Sequence, residues 1–158
     1  MDLESRVRKS FARQRLMATL GASVVSVAEG SVVLRLPFRA DLTQQNGFLH
    51  AGAIATLADS ACGYAALTTM PADADVLSVE FKVNMLAPAV GEAIEARGTV
   101  LRAGKTIVIT RADVFAMREG EEKLVAAMQG TMIVSRQGSG SRGEGTGKTK
   151  GQEFLPDP

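Results

Sequence analysis

The sequence is poor in the residue types that many ligand sites require. Its 158 residues include no Trp, one Tyr, one Cys (Cys62) and one His (His50). A single Cys excludes an intrachain disulfide, and one Cys with one His excludes the usual zinc sites, which need three or four such ligands. The 18 Lys and Arg are nearly balanced by 17 Asp and Glu, so the chain has no strong positive field that would attract phosphates. Without Trp and with one Tyr, it also lacks a set of aromatic platforms on which bases could stack. Among metal sites, these counts leave open only the carboxylate-rich kind, and we expect no metal and no nucleic-acid partner.

Long apolar runs are also absent. No segment has 18 or more uninterrupted apolar residues, and the first residues, MDLESRVRKSF, contain acidic side chains without an apolar stretch or a cleavage site. These features predict a chain with no membrane span and no leader, in a reducing, cytoplasmic setting. With 46% hydrophobic residues, the length fits one globular domain, which we place at residues 1–136.

The hydrophobic periodicity predicts an α+β domain. Residues 1–20 have the spacing of an amphipathic lid helix, and residues 51–67 form an apolar helix with a single charge. Alternating stretches separated by Gly and Pro predict six strands, near residues 23–27, 31–38, 76–86, 93–102, 106–118 and 123–135. This order favours a long curved antiparallel sheet wrapped around a central helix over a doubly wound parallel sheet.

The composition changes abruptly after Ser135. Residues 137–158 are rich in Gly and nearly free of apolar side chains, so we predict a disordered Gly-rich tail. Its GEGTGKT stretch, residues 143–149, is similar to a phosphate-binding loop. However, Arg142 stands where the first Gly of such a loop is required, and neither a strand before nor a helix after it is predicted.

The most informative stretch is residues 44–63, where a polar loop leads into the apolar helix. Asp59 is the only charge in that helix, so it either lies at an exposed edge, is paired, or has a functional role. His50 precedes the helix and has the position of a helix cap or of a histidine satisfied in the core. Cys62 has no second His to activate it, which favours core packing.

Small residues at the helix entrance predict an oxyanion site. Ala51 and Gly52 leave the first backbone N–H groups accessible, and the positive end of the helix dipole points towards whatever approaches them. Asp59 lies about 11–12 Å further along the helix axis, which is too far for one compact site. A two-fold axis that places the loop of one subunit against the helix of another would bring them together.

These residues resemble the signature of the hotdog-fold acyl-CoA thioesterases, specifically the phenylacetate-pathway (PaaI-like) subfamily. The family signature is a polar amide residue, then H-G-G, then L-A-D on the central helix. Here it reads Gln44, residues 50–52 (His-Ala-Gly) and residues 57–59 (Leu-Ala-Asp), followed by SVEF at 78–81 and MLAP at 85–88. The resemblance covers about residues 11–135.

The resemblance implies a role for each matching residue. Asp59 is the catalytic carboxylate, acting as general base on water or as nucleophile. The Ala51 N–H donates to the thioester carbonyl, Gly52 allows close approach, and Gln44 positions substrate or water. Ser78, supplied by the partner subunit, helps to hold the water, and His50 orients the loop.

The sequence departs from the family pattern at two of these positions. Ala51 replaces the first Gly of H-G-G, which keeps the N–H but would not suit a positive φ. Gln44 replaces the usual Asn, as in a related branch that acts on aromatic acyl-CoA, while Asn46 and Gly47 have the character of turn residues.

The basic turn at Arg102, Gly104 and Lys105 matches the family region near the nucleotide end of coenzyme A. An exposed hairpin tip without a binding role is an equally good interpretation of this turn. Its two cations could contact the coenzyme phosphates through charge-assisted hydrogen bonds.

The implied function is hydrolysis of an acyl-CoA thioester without a cofactor, by a homodimer or by a homotetramer built from two dimers. Residues of two subunits would form the acyl pocket, to which the central helix offers only the small side chains of Ala55, Ala58, Ala61 and Cys62, with Tyr64. Aryl-acetyl and medium-chain acyl groups are both compatible with such a pocket. The alternatives are a hotdog hydratase or dehydratase, and a non-catalytic acyl-CoA or acyl-carrier-protein binding module. The module would be expected to lack the helix acid.

Overall fold

The structure, a computed structural model, describes residues 2–136 of the chain. The predicted tail, residues 137–158, lies outside the described residues together with its GEGTGKT stretch. Within the described part, no helix is long and apolar enough to cross a membrane.

The N-terminal segment forms two helices, where one was predicted. Helix α1 spans Leu3–Phe11 and helix α2 spans Arg15–Leu20. Val7 and Phe11 are one turn apart, but Met17 follows Phe11 by six residues, which would place it about 120° away around a straight helix. The break between the helices removes this mismatch, and all three side chains are buried.

Six antiparallel strands form one sheet, in the order β1-β2-β4-β5-β6-β3. Each strand lies within about three residues of its expected position, which confirms the predicted fold class. The strands are β1 (Ser23–Ala28), β2 (Ser31–Pro37), β3 (Ala74–Met85), β4 (Ala93–Ala103), β5 (Ile107–Arg118) and β6 (Glu121–Arg136).

Helix α3 packs across one face of this sheet and contacts strands β2 to β6. It spans Ala51–Leu67, the bounds expected from its apolar run, and follows a short 3-10 helix at Ala40–Leu42. A Cβ atom on Gly98 of β4 would lie 2.3 Å from the Ala61 carbonyl oxygen. Glycine at this position therefore lets the helix backbone lie directly on the sheet.

Strand β3 is an open edge of the sheet. Within the described residues its sheet neighbour is β6 alone, so its other side has no backbone partner. Four large apolar side chains along it are exposed: Leu77, Val79, Phe81 and Met85. A long edge of this kind is suited to pairing with another strand.

Candidate active site

A tight loop leads into helix α3. Thr43 and Leu49 form an isolated antiparallel bridge, and Gly47 turns the chain between them with a φ of 82°. The Gly47 N–H donates to the Gln44 carbonyl at 3.0 Å, and the Asn46 N–H donates to the Gln44 side-chain oxygen. Asn46 and Gly47 therefore shape the turn, and the amide of Gln44 is folded onto its own loop.

His50 caps the helix. Its backbone is extended (φ −63°, ψ 138°), and its Nδ1 accepts the Gly52 N–H at 2.8 Å. A Cβ atom on Gly52 would lie 3.0 Å from that Nδ1, so glycine allows the imidazole to close onto the helix. His50 is therefore a helix cap, which is one of the two structural roles expected for it.

The Ala51 N–H is the free donor at this helix terminus. It makes no hydrogen bond within residues 2–136, while the next N–H is held by His50. Neither Ala51 nor Gly52 has a positive φ, so alanine in place of the family's glycine introduces no backbone strain. A free N–H at the positive end of a 17-residue helix can stabilise a developing oxyanion.

Gln44 and Ala51 line one wall of a cavity of about 390 Å³. The rest of its lining is apolar and comes from Phe48, Leu49 and Ile54 and from the segment at residues 85–89. Such a cavity can bind one arm of a thioester whose carbonyl points at the helix terminus.

Asp59 and Ser78 form a hydrogen-bonded pair. The Ser78 hydroxyl donates to Asp59 Oδ1 at 2.7 Å and also lies 3.4 Å from the Met132 sulfur. Asp59 is half-buried. The bond is made within one chain, so relative to Asp59 the serine comes from the same subunit. The expectation of a partner-subunit Ser78 can apply only relative to the loop.

A second, smaller cavity of about 110 Å³ lies beside Asp59. The α3 residues that line it with Asp59 are Ser60, Gly63 and Tyr64, and the N-terminal segment contributes Ser10 and Gln14. Tyr64 was expected to line a pocket, whereas Ser10 and Gln14 were not, because a polar residue in an amphipathic segment carries no local signal of what it faces.

The expected pocket lining was wrong for three small residues. Ala58, Ala61 and Cys62 have no exposed surface and pack against the sheet. Burial raises the pKa of the Cys62 thiol to about 11, so the thiol stays protonated and unreactive at neutral pH. Core packing is therefore its role in this fold.

One chain presents two separate half-sites. Residues 44 and 50–52 gather at the start of α3, whereas Asp59 and Ser78 meet further along, and the cavities at the two places share no lining residue. Asp59 follows Ala51 by eight positions in the helix, about 12 Å along the axis. No group of three or more His, Cys, Asp or Glu side chains within residues 2–136 could hold a metal ion.

The basic turn between β4 and β5 lies far from the Ala51 cavity of its own chain. Through the strand registers, Met85 is level with Ala96, and Gly104 lies eight residues further, about 26 Å. A Cβ atom on Gly104 would lie 2.6 Å from the Ile107 carbonyl oxygen, which explains the glycine. Arg102 and Lys105 are exposed and form no ion pair within the described residues.

Residues 46–123, which contain the start of α3, Asp59 and Ser78, match the model of a known protein family, the thioesterase superfamily. A solved thioesterase family protein from Silicibacter pomeroyi is 47% identical and superposes with a TM-score of 0.84, over 86% of this chain and 100% of that chain. The chain belongs to the thioesterase superfamily. As a member it is a hydrolase of thioester bonds with the hotdog fold.

Two proteins that are similar to this chain have names that state the thioester on which they act. Human acyl-coenzyme A thioesterase 13 is 34% identical over 66% of this chain and 73% of its own length. The 1,4-dihydroxy-2-naphthoyl-CoA hydrolase of Listeria monocytogenes is 27% identical over 77% of this chain and 97% of its own length.

Proposed function

We propose that this thioesterase hydrolyses acyl-CoA and belongs to the PaaI-like branch of the superfamily. The observation that carries the proposal is the pair of half-sites: a free N–H at the start of α3 and a helix carboxylate held by a serine hydroxyl. The first can polarise a thioester carbonyl and the second can activate water, which are the two needs of the reaction.

In the proposed reaction, the thioester carbonyl accepts a hydrogen bond from the Ala51 N–H. Ser78 occupies Oδ1 of Asp59, which leaves Oδ2 to take a proton from water. The hydroxide adds to the carbonyl carbon, and the C–S bond breaks as the oxyanion collapses. The proton then passes from Asp59 to the departing thiolate. Direct attack by Asp59 would give a mixed anhydride that water cleaves, and both routes require the same residues.

We infer that two subunits complete the site through strand β3. Met85 borders the Ala51 cavity and Ser78 holds Asp59, so both half-sites border this strand. If β3 pairs antiparallel with its copy about an axis near Phe81, Met85 of one subunit faces the Ser78 region of the other. The N–H of one chain then meets the carboxylate of the second.

We propose that the same pairing also forms a coenzyme A site. The apolar cavity beside Ala51 suits the pantetheine arm, which must extend outward from the carbonyl. The basic turn is level with Leu77 through the strand registers, so in an antiparallel pair the turn of the second subunit lies at the Met85 end of the first. We propose that Arg102 and Lys105 contact the coenzyme phosphates there, with Gly104 shaping the turn.

We propose an aryl-acetyl or a medium-chain acyl group as the substrate. The Listeria relative is named for an aromatic acyl-CoA and the human relative for acyl-CoA in general, so both classes are represented among similar proteins. A role in phenylacetate degradation is the corresponding metabolic proposal. A homotetramer formed from two β3-paired dimers stays a prediction.

The test is a thiol-release assay on wild type and Asp59→Asn with a panel of aromatic and C2–C16 acyl-CoA substrates. The native Cys62 thiol is buried and protonated, so the chromogenic thiol reagent reports released coenzyme A. We expect turnover of at least one substrate and a loss of about 10²–10⁴-fold in the variant, with an unchanged oligomer.

Turnover by Asp59→Asn close to wild type would contradict the mechanism. Binding of the panel without thiol release by the intact wild-type oligomer would instead favour an acyl-CoA binding module.

A further inference from the structure

Strand β3 contains one residue more than its partner strand at the position of Ser78. Ser78 pairs with Met132 and Glu80 pairs with Thr131, so Val79 has no partner on β6. Between β6 and the next strand, β5, the register is regular at this point. The irregularity is therefore a β-bulge in β3, centred on Val79.

The bulge changes which side chains of β3 face helix α3. Before it, even-numbered residues do so: Val76 packs against the core, and Ser78 bonds to Asp59. After it, odd-numbered residues do so: Val83 packs against the core, and Met85 lines the cavity at the start of α3. Because side chains alternate between the faces of a regular strand, Ser78 and Met85 share a face only through the extra residue.

The position of the bulge decides whether Ser78 or Glu80 faces the helix. If the extra residue preceded Ser78, the serine would follow the later pattern and face away from α3. If the extra residue followed Glu80, a second carboxylate would face the helix that carries Asp59. With the extra residue at position 79, the hydroxyl faces Asp59 and the Glu80 carboxylate faces away.

Side chains on both faces of the sheet hold the two residues that flank Val79. On the helix face, the Ser78 hydroxyl is bonded to the carboxylate of α3. On the outer face, where Thr131 lies because its neighbour Met132 is buried against the helix, the Thr131 hydroxyl donates a hydrogen bond to Oε1 of Glu80. That bond can form only while Glu80 faces outward, so it fixes the extra residue at position 79.

We propose that Glu80 and Thr131 are positioning residues of the active site. Their hydrogen bond fixes the bulge, and the bulge aims the Ser78 hydroxyl at Asp59. Bulges bend a strand and re-aim its side chains, and they are frequent beside active sites. The proposal rests on the proposed function, in which Ser78 occupies one oxygen of Asp59 and the other oxygen takes the proton from water. It gives a role to the acid of the SVEF motif at 78–81, which the reaction itself does not use.

The first test removes the hydroxyl that holds Glu80. Thr131→Val is close in shape and suits a strand, so it should fold, with kcat lowered about tenfold and KM nearly unchanged for the best acyl-CoA of the panel. Thr131→Ser retains the hydroxyl and should retain kcat. Gln129→Val is the matched control, because Gln129 lies on the same face of β6 but pairs with Lys82, away from the bulge.

The acid is tested in the same way. Glu80→Gln keeps an oxygen that accepts the Thr131 hydrogen bond and should behave as wild type. Glu80→Ala removes that oxygen and should lower kcat as Thr131→Val does.

The second test asks whether the effect passes through Ser78. Ser78→Ala removes the hydroxyl that the bulge aims, so adding Thr131→Val to it should lower kcat by less than about twofold. A merely structural role of Thr131 would lower kcat by the same factor with and without the Ser78 hydroxyl.

The outcomes separate this proposal from the proposed function. Asp59-dependent turnover whose kcat is unchanged in Thr131→Val and Glu80→Ala, or is lowered equally in the Ser78→Ala background, would overturn the positioning role and leave the thioesterase mechanism in place. Absence of Asp59-dependent turnover of every acyl-CoA in the panel would overturn both.

Discussion

Strands β1 and β3 are the two edges of the same sheet, and they differ in length and covering. Strand β1 has six residues, is interrupted by a bulge between Val24 and Ser26, and has its Val24 carbonyl bound by Arg8 of helix α1 at 3.0 Å. Strand β3 also has a bulge, between Ser78 and Glu80, but it has twelve residues and exposes a row of large apolar side chains.

Short, bulged and covered edges are the usual means by which proteins prevent strand pairing. Strand β1 shows all three features, and β3 lacks the shortness and the covering. The edge that is left open is also the one that carries Ser78 and borders the Ala51 cavity through Met85. The comparison teaches that the open edge and both half-sites lie together, which is the arrangement that the proposed site shared between two subunits requires.

The largest expected effect comes from blocking the open edge. A lysine on a strand edge opposes pairing, so Phe81→Lys should yield monomers and lower kcat/KM by about 10³-fold, because each chain then holds only half a site. Sedimentation velocity and the thiol-release assay measure the two effects. Val25→Lys is the matched control on β1, where we expect neither change. A fully active Phe81→Lys monomer would show that the two edges do not differ in function.

A smaller loss is expected when only the donor of the loop is removed. Proline is tolerated at the first position of a helix and has no N–H, and the extended backbone of His50 (ψ 138°) is compatible with a following proline. Ala51→Pro should therefore keep α3 and the oligomer but lower kcat by about 10²-fold. Ala51→Ser retains the N–H and serves as the control. Equal kcat values for the two variants would rule out the Ala51 N–H as the oxyanion donor.

The smallest expected effect concerns Cys62, which lies on the buried side of helix α3 against the sheet. Burial raises the pKa of Cys62 from 9.0 to about 11, so the unfolded chain loses this proton first as the pH rises. The contribution of the buried, protonated thiol to the free energy of unfolding is therefore complete below pH 9. It is lost progressively as the pH rises towards 11, which lowers the free energy of unfolding by about 2–3 kcal/mol in all. Unfolding titrations of wild type and Cys62→Ala should therefore converge over this interval. Parallel curves would mean that the thiol ionises normally in the folded state.

The helices and strands could be predicted from the sequence better than which strands lie side by side in the sheet. Helix α3 was placed at its observed bounds because its long run of apolar and small residues, with a single charge, is typical of a mostly buried helix. The assignment of β3 to an edge could not be predicted, since alternation of apolar residues does not name the partner strand. The break between α1 and α2 was missed because Met17 and Leu20 continue a near-helical spacing, although one that is out of phase with Phe11.

In the candidate site too, features that are local in the sequence were predicted better than contacts between distant residues. The loop and helix residues were found because they are close in sequence and share a motif. The Asp59–Ser78 bond joins residues 19 positions apart, and the Ser10–Tyr64 contact joins residues 54 apart. Such contacts depend on how strands and helices pack, and no local pattern records them.

Subunit complementation tests the shared site most directly. Asp59→Asn retains the loop half of the site and Ala51→Pro retains the carboxylate half, so each variant alone should be nearly inactive. When the two are unfolded, mixed in equal amounts and refolded, half of the randomly paired dimers combine them, and each such dimer has one intact site of two. We predict recovery of about a quarter of wild-type activity. Activity no higher than that of the separate variants, with mixed dimers demonstrated by mass spectrometry, would contradict a site shared between subunits.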